Sequence, residues 1–472
     1  MAFQSEQDKV AHLLRRFGLG ASKSDMAYYG AGDYESALTK LIEYEDTDEG
    51  FELDPSIYEN RNNGIVNIRG FQYWWLLRML TTKHPLEQKL TLFWHDHFAI
   101  SAAKVTVAEA MYRYLETLRI NATGRFEDLL VETSKDPAML FWLDNHQNVK
   151  GTPNENFARE VMELFTLGVD NKYTEADILE AARALTGWVY GVRRAGRSYP
   201  SALPYRSTRY LFIEDRHDDG AKTFLGEKGD LTGDDVLDIL LDLPETAEYI
   251  TKKMWEWFVY SDPDVEMIKQ IASDWRDSGL DIKQLVRSIA THKEFFSDKA
   301  VRTHIKNPIE FCIGTLRATG IGEKLSEQFK VLDSDKSRGL ANPVRYLHSR
   351  TRNMGMEILF PPDVDGWVKD EEWINTGAII ERIKFADLVF GNQGRGWRAL
   401  VPENMPQPGS TPEQVVDHMI DMFDVEMNPK KVEVFYMSAK KASGGTITAR
   451  NLAPTMKNVA RLMFGTPEFQ FS

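Results

Sequence analysis

The sequence predicts an all-α fold, a large multi-helix body with a small irregular or β-ribbon excursion near 205–226. Three observations carry that prediction. Apolar residues recur at helical spacing along most of the chain. Several of those windows open on a proline or a capping residue and close on glycine. Short extended runs such as Tyr210-Leu211-Phe212-Ile213 are confined to one Gly/Pro/Ser-bearing stretch.

The helices follow in order. Residues 6–17 put Val10, Leu13, Leu14 and Phe17 on one face, and Gly18 is a natural stop. Residues 69–82 carry Trp74, Trp75, Leu77 and Leu80. Pro85 can open a helix to about Phe98, with Leu86, Leu90, Phe93 and His97 along one stripe. Residues 107–121 hold Met111, Tyr114, Leu115 and Leu118. Further helices fit 125–134, 153–167, 174–186, 233–241, 245–260, 264–278, 282–292 and 308–319, then 373–390, 412–422 and 446–463. Residues 45–68 read as a long acidic, then Asn/Gly-rich loop, and 391–411 as a Gly/Pro-rich linker. The irregular stretch 189–231 is the best boundary, dividing an N-terminal half (1–188) from a C-terminal half (232–472).

The chain has 472 residues, which at roughly 100–200 residues per domain favours two to four domains. Its 11 Trp and 25 Phe predict a core stabilised largely by buried rings. A net charge of −14 argues against nucleic acid, whose binders offer a basic face to the phosphates. The densest basic stretch, Arg193, Arg194 and Arg197, reads as a solvated loop. No window is apolar enough to span a membrane. The lone Cys312 forms no intrachain disulfide and reads as a small buried hydrophobe. Residues 1–8 show no basic or apolar leader region, so the expected location is the cytoplasm, with export left open for a trimmed chain.

Four segments carry polar chemistry. In 152–168, Thr152 fits an N-cap, Pro153 the first helical position and Glu155 a capping box. Phe157, Ala158, Val161, Leu164 and Phe165 share one face; Glu155, Arg159, Glu163 and Thr166 share another. Carboxylates two turns apart could ligate a metal or act as acid and base, but a cap with an i, i+4 ladder through Arg159 is the plainer reading. In Phe93-Trp94-His95-Asp96-His97-Phe98, the two histidines lie about 200° apart on a straight helix, so they converge only if the helix ends there. They suit a metal or a proton transfer, or one core and one surface imidazole. In 215–222, His217 with Asp218 or Asp219 could complete a site. The spacing fails an EF-hand, and a turn held by Asp side chains is favoured. In 360–367, two prolines and Gly366 build a rigid corner that presents Asp363 and Trp367 to a ligand or plugs Trp367 into the core. HExxH, Walker A and G-x-S-x-G patterns are absent.

Taken together, these blocks resemble a known bacterial family. They are His12-to-Gly20, Trp94-to-Phe98, Asn154-to-Gly168, Tyr173-to-Asp177 and Ala184-to-Trp188. His217-Asp218, Lys222-to-Gly226, Lys306-to-Glu310 and Pro361-to-Trp367 follow in the same motif order. The family is the one catalogued as domain of unknown function 1800, and the resemblance covers roughly residues 9–465. It implies no settled activity. It does imply members exported and encoded beside a sulfatase-like or phosphatase-like protein.

Two functional expectations follow. The first is an enzyme with a polar site between helices, lined by His95, His97, Glu155, Arg159, Glu163 and His217. His95, His97 and Glu163 would hold a divalent metal such as zinc, iron or manganese, for metal-assisted hydrolysis or oxidation. The Glu-x-x-His helix pattern of bundle di-metal sites is missing, which weighs against it. The second is a non-catalytic binding or assembly module that pairs with a sulfatase-like partner, its polar motifs being buried networks.

Overall fold

Helix-opening chemistry recurs along the chain. Proline occupies the first turn of seven of the helices set out below, for example at Pro85, Pro244 and Pro308. Side-chain N-caps with reciprocal capping boxes start others, at Ser5, Thr174 and Thr232, and Asn307 adds one ahead of Pro308. The computed structural model describes residues 3, 5–60, 62–191, 209–391, 397 and 405–472. The fold is all-α with two small antiparallel ribbons.

The N-terminal half runs α1 (Glu6–Phe17), α2 (Lys23–Tyr29), α3 (Tyr34–Ile42), α4 (Ile68–Thr81), α5 (Pro85–His97), α6 (Ala108–Ile120), α7 (Phe126–Lys135), α8 (Pro137–Trp142), α9 (Glu155–Glu160) and α10 (Glu175–Ala184). Next come α11 (Gly233–Asp242), α12 (Pro244–Phe258), α13 (Val265–Asp277), α14 (Ile282–Thr291), α15 (Pro308–Ala318), α16 (Ile321–Phe329), α17 (Ser334–Ala341) and α18 (Val344–Asn353). The chain ends with α19 (Thr376–Lys384), α20 (Ala386–Val389), α21 (Pro412–Met422), α22 (Pro429–Ser443), α23 (Leu452–Phe464) and α24 (Pro467–Gln470).

The strongly periodic windows become helices within a residue or two of their expected ends, as at α1, α5, α7 and α12–α15. The differences have local causes. Glu155 is not the third residue of a capping box: Asn154, not Thr152, caps α9, its side chain accepting from Asn156 N–H. After Glu160 the helix widens into a π-helical turn, Val161–Thr166, where Thr166 Oγ1 donates to the Val161 carbonyl at 2.7 Å. The window 373–390 splits into α19 and α20, with a 3₁₀ turn before them at Asp370–Trp373. Helices α2, α3, α8, α16–α18, α22 and α24 fall outside the expected windows; all but α22 are short, with stripes too brief for periodicity to register.

In the irregular stretch, β1 (Trp188–Gly191) pairs with β2 (Arg209–Phe212), Trp188 opposite Phe212. Strand β3 (Lys222–Phe224) pairs with β4 (Glu227–Gly229) across Leu225-Gly226, both with positive φ, the backbone of a tight two-residue hairpin. Arg193, Arg194 and Arg197, and most of the 391–411 linker, lie outside the described residues. One hydrophobic core runs from Val10 to Phe469. Helix α4 packs on α15 and α18, and α3 on α14, so elements of both halves share it. Cys312 is buried in that core beside Met354, and burial raises its thiol pKa. No helix among the described residues is long and apolar enough to cross a membrane.

Candidate active site

Helix α5 is the centre of the site because all of its residues, polar ones included, are buried. A buried helix with polar side chains must pair them. Its first turns do so: Gln88 accepts from the Trp75 indole at 3.0 Å, Glu87 pairs with Arg119 at 2.8 Å, and Lys89 pairs with Glu310. Burial works against the charge on Glu310, yet Lys89 and His304 hold its carboxyl well below the usual range.

The last turn of α5 carries His95, Asp96 and His97, each 1–2% exposed. The helix ends at His97, and the two imidazoles reach different elements. His95 Nε2 accepts the Leu359 N–H at 3.2 Å, and its ring stands edge-on to Trp367, centroids 5.2 Å apart. That nitrogen's lone pair is spent, so in the neutral ring the proton sits on Nδ1 and none is left for a metal. His97 Nε2 lies 3.2 Å from the Phe165 carbonyl in the π-helical turn and donates to it. Burial pushes His95 down to about 3 and His97 well below its ordinary value, so both rings are neutral near pH 7.

Asp96, between them, faces the other way. Its Oδ1 accepts the Trp367 N–H at 2.8 Å. The rigid corner after Pro361-Pro362 brings that amide in: Asp363 Oδ1 accepts from Asp365 N–H at 3.0 Å, Gly366 turns with φ 91°, and Trp367 plugs into the core. A Cβ on Gly366 would sit 2.2 Å from Asp96 Oδ1, so only glycine lets the loop close on this carboxyl.

Asp96 lines a cavity of about 150 Å³ with Phe93 of α5, Lys253 and Trp257 of α12, Asn307 ahead of α15, and Lys369 of the corner loop. Burial raises the Asp96 pKa to about 6, although Lys253 and Lys369 pull it down. Burial lowers the Lys253 pKa to about 8; Lys369 adds to that, while Asp96, Asp365 and Glu256 oppose it. Among the described residues no carboxylate stands within ion-pair distance of the Lys253 ammonium. The cavity wall thus carries an acid and a base, displaced toward each other and not neutralised as a contact pair.

Helix α9 leads into the π-helical turn that meets His97. Arg159 forms the expected ladder with Glu155 at 3.4 Å and Glu163 at 3.3 Å, and it binds Glu175 at 2.7 Å. The perturbed carboxyl is a neighbour, Glu160: burial raises its pKa to about 7, with Glu163 and Asp365 adding. Asp365 works against ionisation of Glu160 and Asp96 and favours the charged form of Lys253.

His95 and His97 stand at the cavity end of α5, and Glu155, Arg159 and Glu163 share one ladder. His97 meets that segment through the Phe165 carbonyl rather than through either carboxylate. His217 occupies another corner, its Nδ1 2.9 Å from the Thr186 carbonyl and its ring against Phe212. There Asp218 binds Arg183 and accepts from Gly220 N–H at 2.9 Å, the Asp-held turn. Asp96, Lys253, Glu160 and Asn307 were not singled out. Lys253 left one trace, a cation at i+4 spacing between Tyr249 and Trp257 on the flank of an amphipathic helix.

His95, His97 and Glu163 do not bring ligand atoms to one point. Among the described residues the group that does is Glu49, His84 and Glu87, within 4.8 Å of one another. Those ligands are already engaged. Arg78 binds both oxygens of Glu49 at 2.7 Å, Arg119 and Gln88 hold Glu87, and His84 Nε2 donates to Thr47 O at 2.8 Å. Two guanidiniums at the carboxylates oppose a cation there.

Four of the blocks that carry the family resemblance therefore meet at the end of α5: those of Asp96, of Phe165, of Asn307, and of Gly366-Trp367. No curated protein and no solved structure matches the chain. The family model described as a protein of unknown function, DUF1800, matches residues 12–471, nearly the whole chain, and the chain belongs to that family.

Proposed function

We propose that the chain is an enzyme whose reaction centre is the cavity at the C-terminal end of α5, working by general acid–base chemistry through Asp96 and Lys253. One observation carries this reading. A carboxyl and an amine, shifted in opposite directions toward neutrality, line one cavity without forming a contact ion pair. A purely structural pair would be expected in contact, as Lys89 and Glu310 are. Groups with pKa values near the working pH transfer protons most efficiently. His95 and His97, neutral and tied to backbone groups, position the loop and the π-helical turn around Asp96.

The test is turnover of a panel of small carbonyl compounds and carboxylic, phosphate and sulfate esters by wild type, Asp96→Asn and Lys253→Met. The expected result is a wild-type activity that each substitution lowers by about 10²–10⁴-fold, the usual contribution of a positioned acid or base. An activity that survives both substitutions removes the cavity from the chemistry. A ligand held in the cavity but never converted returns the chain to a binding module, the role in which a sulfatase-like or phosphatase-like partner would supply the reaction.

A further inference from the structure

Resting on that reading, the substrate class can be narrowed by what the cavity offers beyond an acid and a base. Lys253 reaches the wall from a half-buried position on α12, its Nζ 5.5 Å from the centre of the Tyr249 ring, with Trp257 in the same wall. Its amine has no carboxylate in contact among the described residues. The neighbouring cation Lys369 disfavours a second positive charge, as does the apolar surface of Phe93 and Trp257. Those conditions leave a lysine amine free to act as a nucleophile. The Asp96 carboxyl on the facing helix retains an oxygen beyond the one bonded to Trp367, able to carry a proton. At the rim, the Lys369 ammonium forms no ion pair among the described residues. The Asn307 side chain uses its oxygen to cap α15, accepting from Ile309 and Glu310 N–H at 3.0 Å, which turns its NH₂ to other partners. An ammonium and an amide donor suit a carboxylate. The cavity, about 150 Å³ against the roughly 10–15 Å³ one water needs, takes a short molecule.

We infer that the cavity binds short 2-oxo acids and that Lys253 forms an imine with their carbonyl carbon, with Lys369 and Asn307 holding the carboxylate. The neutral amine attacks the carbonyl carbon and the C=O π pair moves to oxygen. Proton transfer from nitrogen to that oxygen gives a carbinolamine. The Asp96 carboxyl then protonates the hydroxyl, the C–O bond breaks and water leaves, while the nitrogen pair forms the C=N bond. The products are a protonated imine, one water and the Asp96 carboxylate. This sequence needs neither oxidant nor reductant. Two cations, Lys253 and Lys369, face four anions from the packed elements, Asp96, Asp365, Glu256 and Asp370, with neutral His304 in the wall and neutral His97 on the adjoining turn of α5.

The experiment treats the full chain with pyruvate or glyoxylate in the presence of borohydride and locates the trapped secondary amine by peptide mass spectrometry. Lys253 is expected to be trapped at least about tenfold faster than solvent-exposed lysines such as Lys430, and trapping at this position is lost in Lys253→Arg. Lys369→Ala should slow trapping of pyruvate about tenfold more than it slows trapping of uncharged glycolaldehyde, the scale of one charge-assisted hydrogen bond on top of the loss of neutral amine common to both. Labelling that merely follows lysine exposure overturns the imine. Trapping of pyruvate and of glycolaldehyde changed to the same extent by Lys369→Ala overturns the 2-oxo acid assignment. The imine can fail while Asp96 and Lys253 still govern turnover of another substrate, so this inference and the acid–base reading are separable.

Discussion

At the scale of the residue, Asp96 explains most about the site and was the least visible in the sequence. The block 93–98 shows that a polar insertion interrupts an aromatic stretch. It does not show that the two histidines turn to backbone groups while the carboxylate between them turns to a cavity. That sorting depends on where the Leu359 amide, the Phe165 carbonyl and the Trp367 amide arrive, and these lie far off in the chain. A consequence is testable by stability. A carboxyl whose folded pKa is raised stabilises the fold fully below its unfolded value near 3.8, and that contribution is lost as pH rises through about 6. Asp96→Asn keeps an oxygen for Trp367 N–H and removes the buried charge. The variant is expected to be more stable than wild type at about pH 8, by up to about 3 kcal/mol, with the gap closing toward about pH 4. Urea unfolding at several pH values reads this directly. A variant less stable than wild type at the upper pH, or a gap that does not vary with pH, is the contrary result.

At the scale of the element, the corner 360–367 and the segment 155–166 behave differently. The corner was legible: two prolines and a glycine announce a rigid turn, and Trp367 does plug into the core. What the turn closes on was not legible. Gly366→Ala should cost about 1–3 kcal/mol from backbone strain alone and more from the displaced Asp96 contact, measured by thermal or urea unfolding. A neutral Gly366→Ala would mean that the loop does not seat on Asp96. In the second segment, the Glu155–Arg159–Glu163 ladder could be read from i, i+4 spacing alone. The π-helical turn that follows could not, since no local spacing distinguishes it, and neither could the burial of Glu160. Because Glu163 is held by a partly exposed arginine, Glu163→Ala should cost only about 0.2–0.5 kcal/mol. A loss several times larger would show that Glu163 supports a buried network instead.

At the scale of the whole molecule, the all-α class and most long helices followed from periodicity because long amphipathic stripes are a redundant signal. The site did not, because it is assembled from α5, the π-helical turn after α9, α12, the approach to α15 and the corner after α18. Each contributes one or two polar groups that look ordinary within their own segment. The central claim is that these elements hold Lys253 unpaired, largely desolvated and coupled to Asp96. The most direct test is the titration of Lys253 itself, by competitive acetylation across pH with quantification of its peptide, in wild type and Asp96→Asn. The account predicts a midpoint near 8 in wild type. It predicts a lower midpoint in Asp96→Asn, since the lost carboxylate had favoured the charged amine. A midpoint near the ordinary lysine value of about 10.4 in both proteins would contradict it.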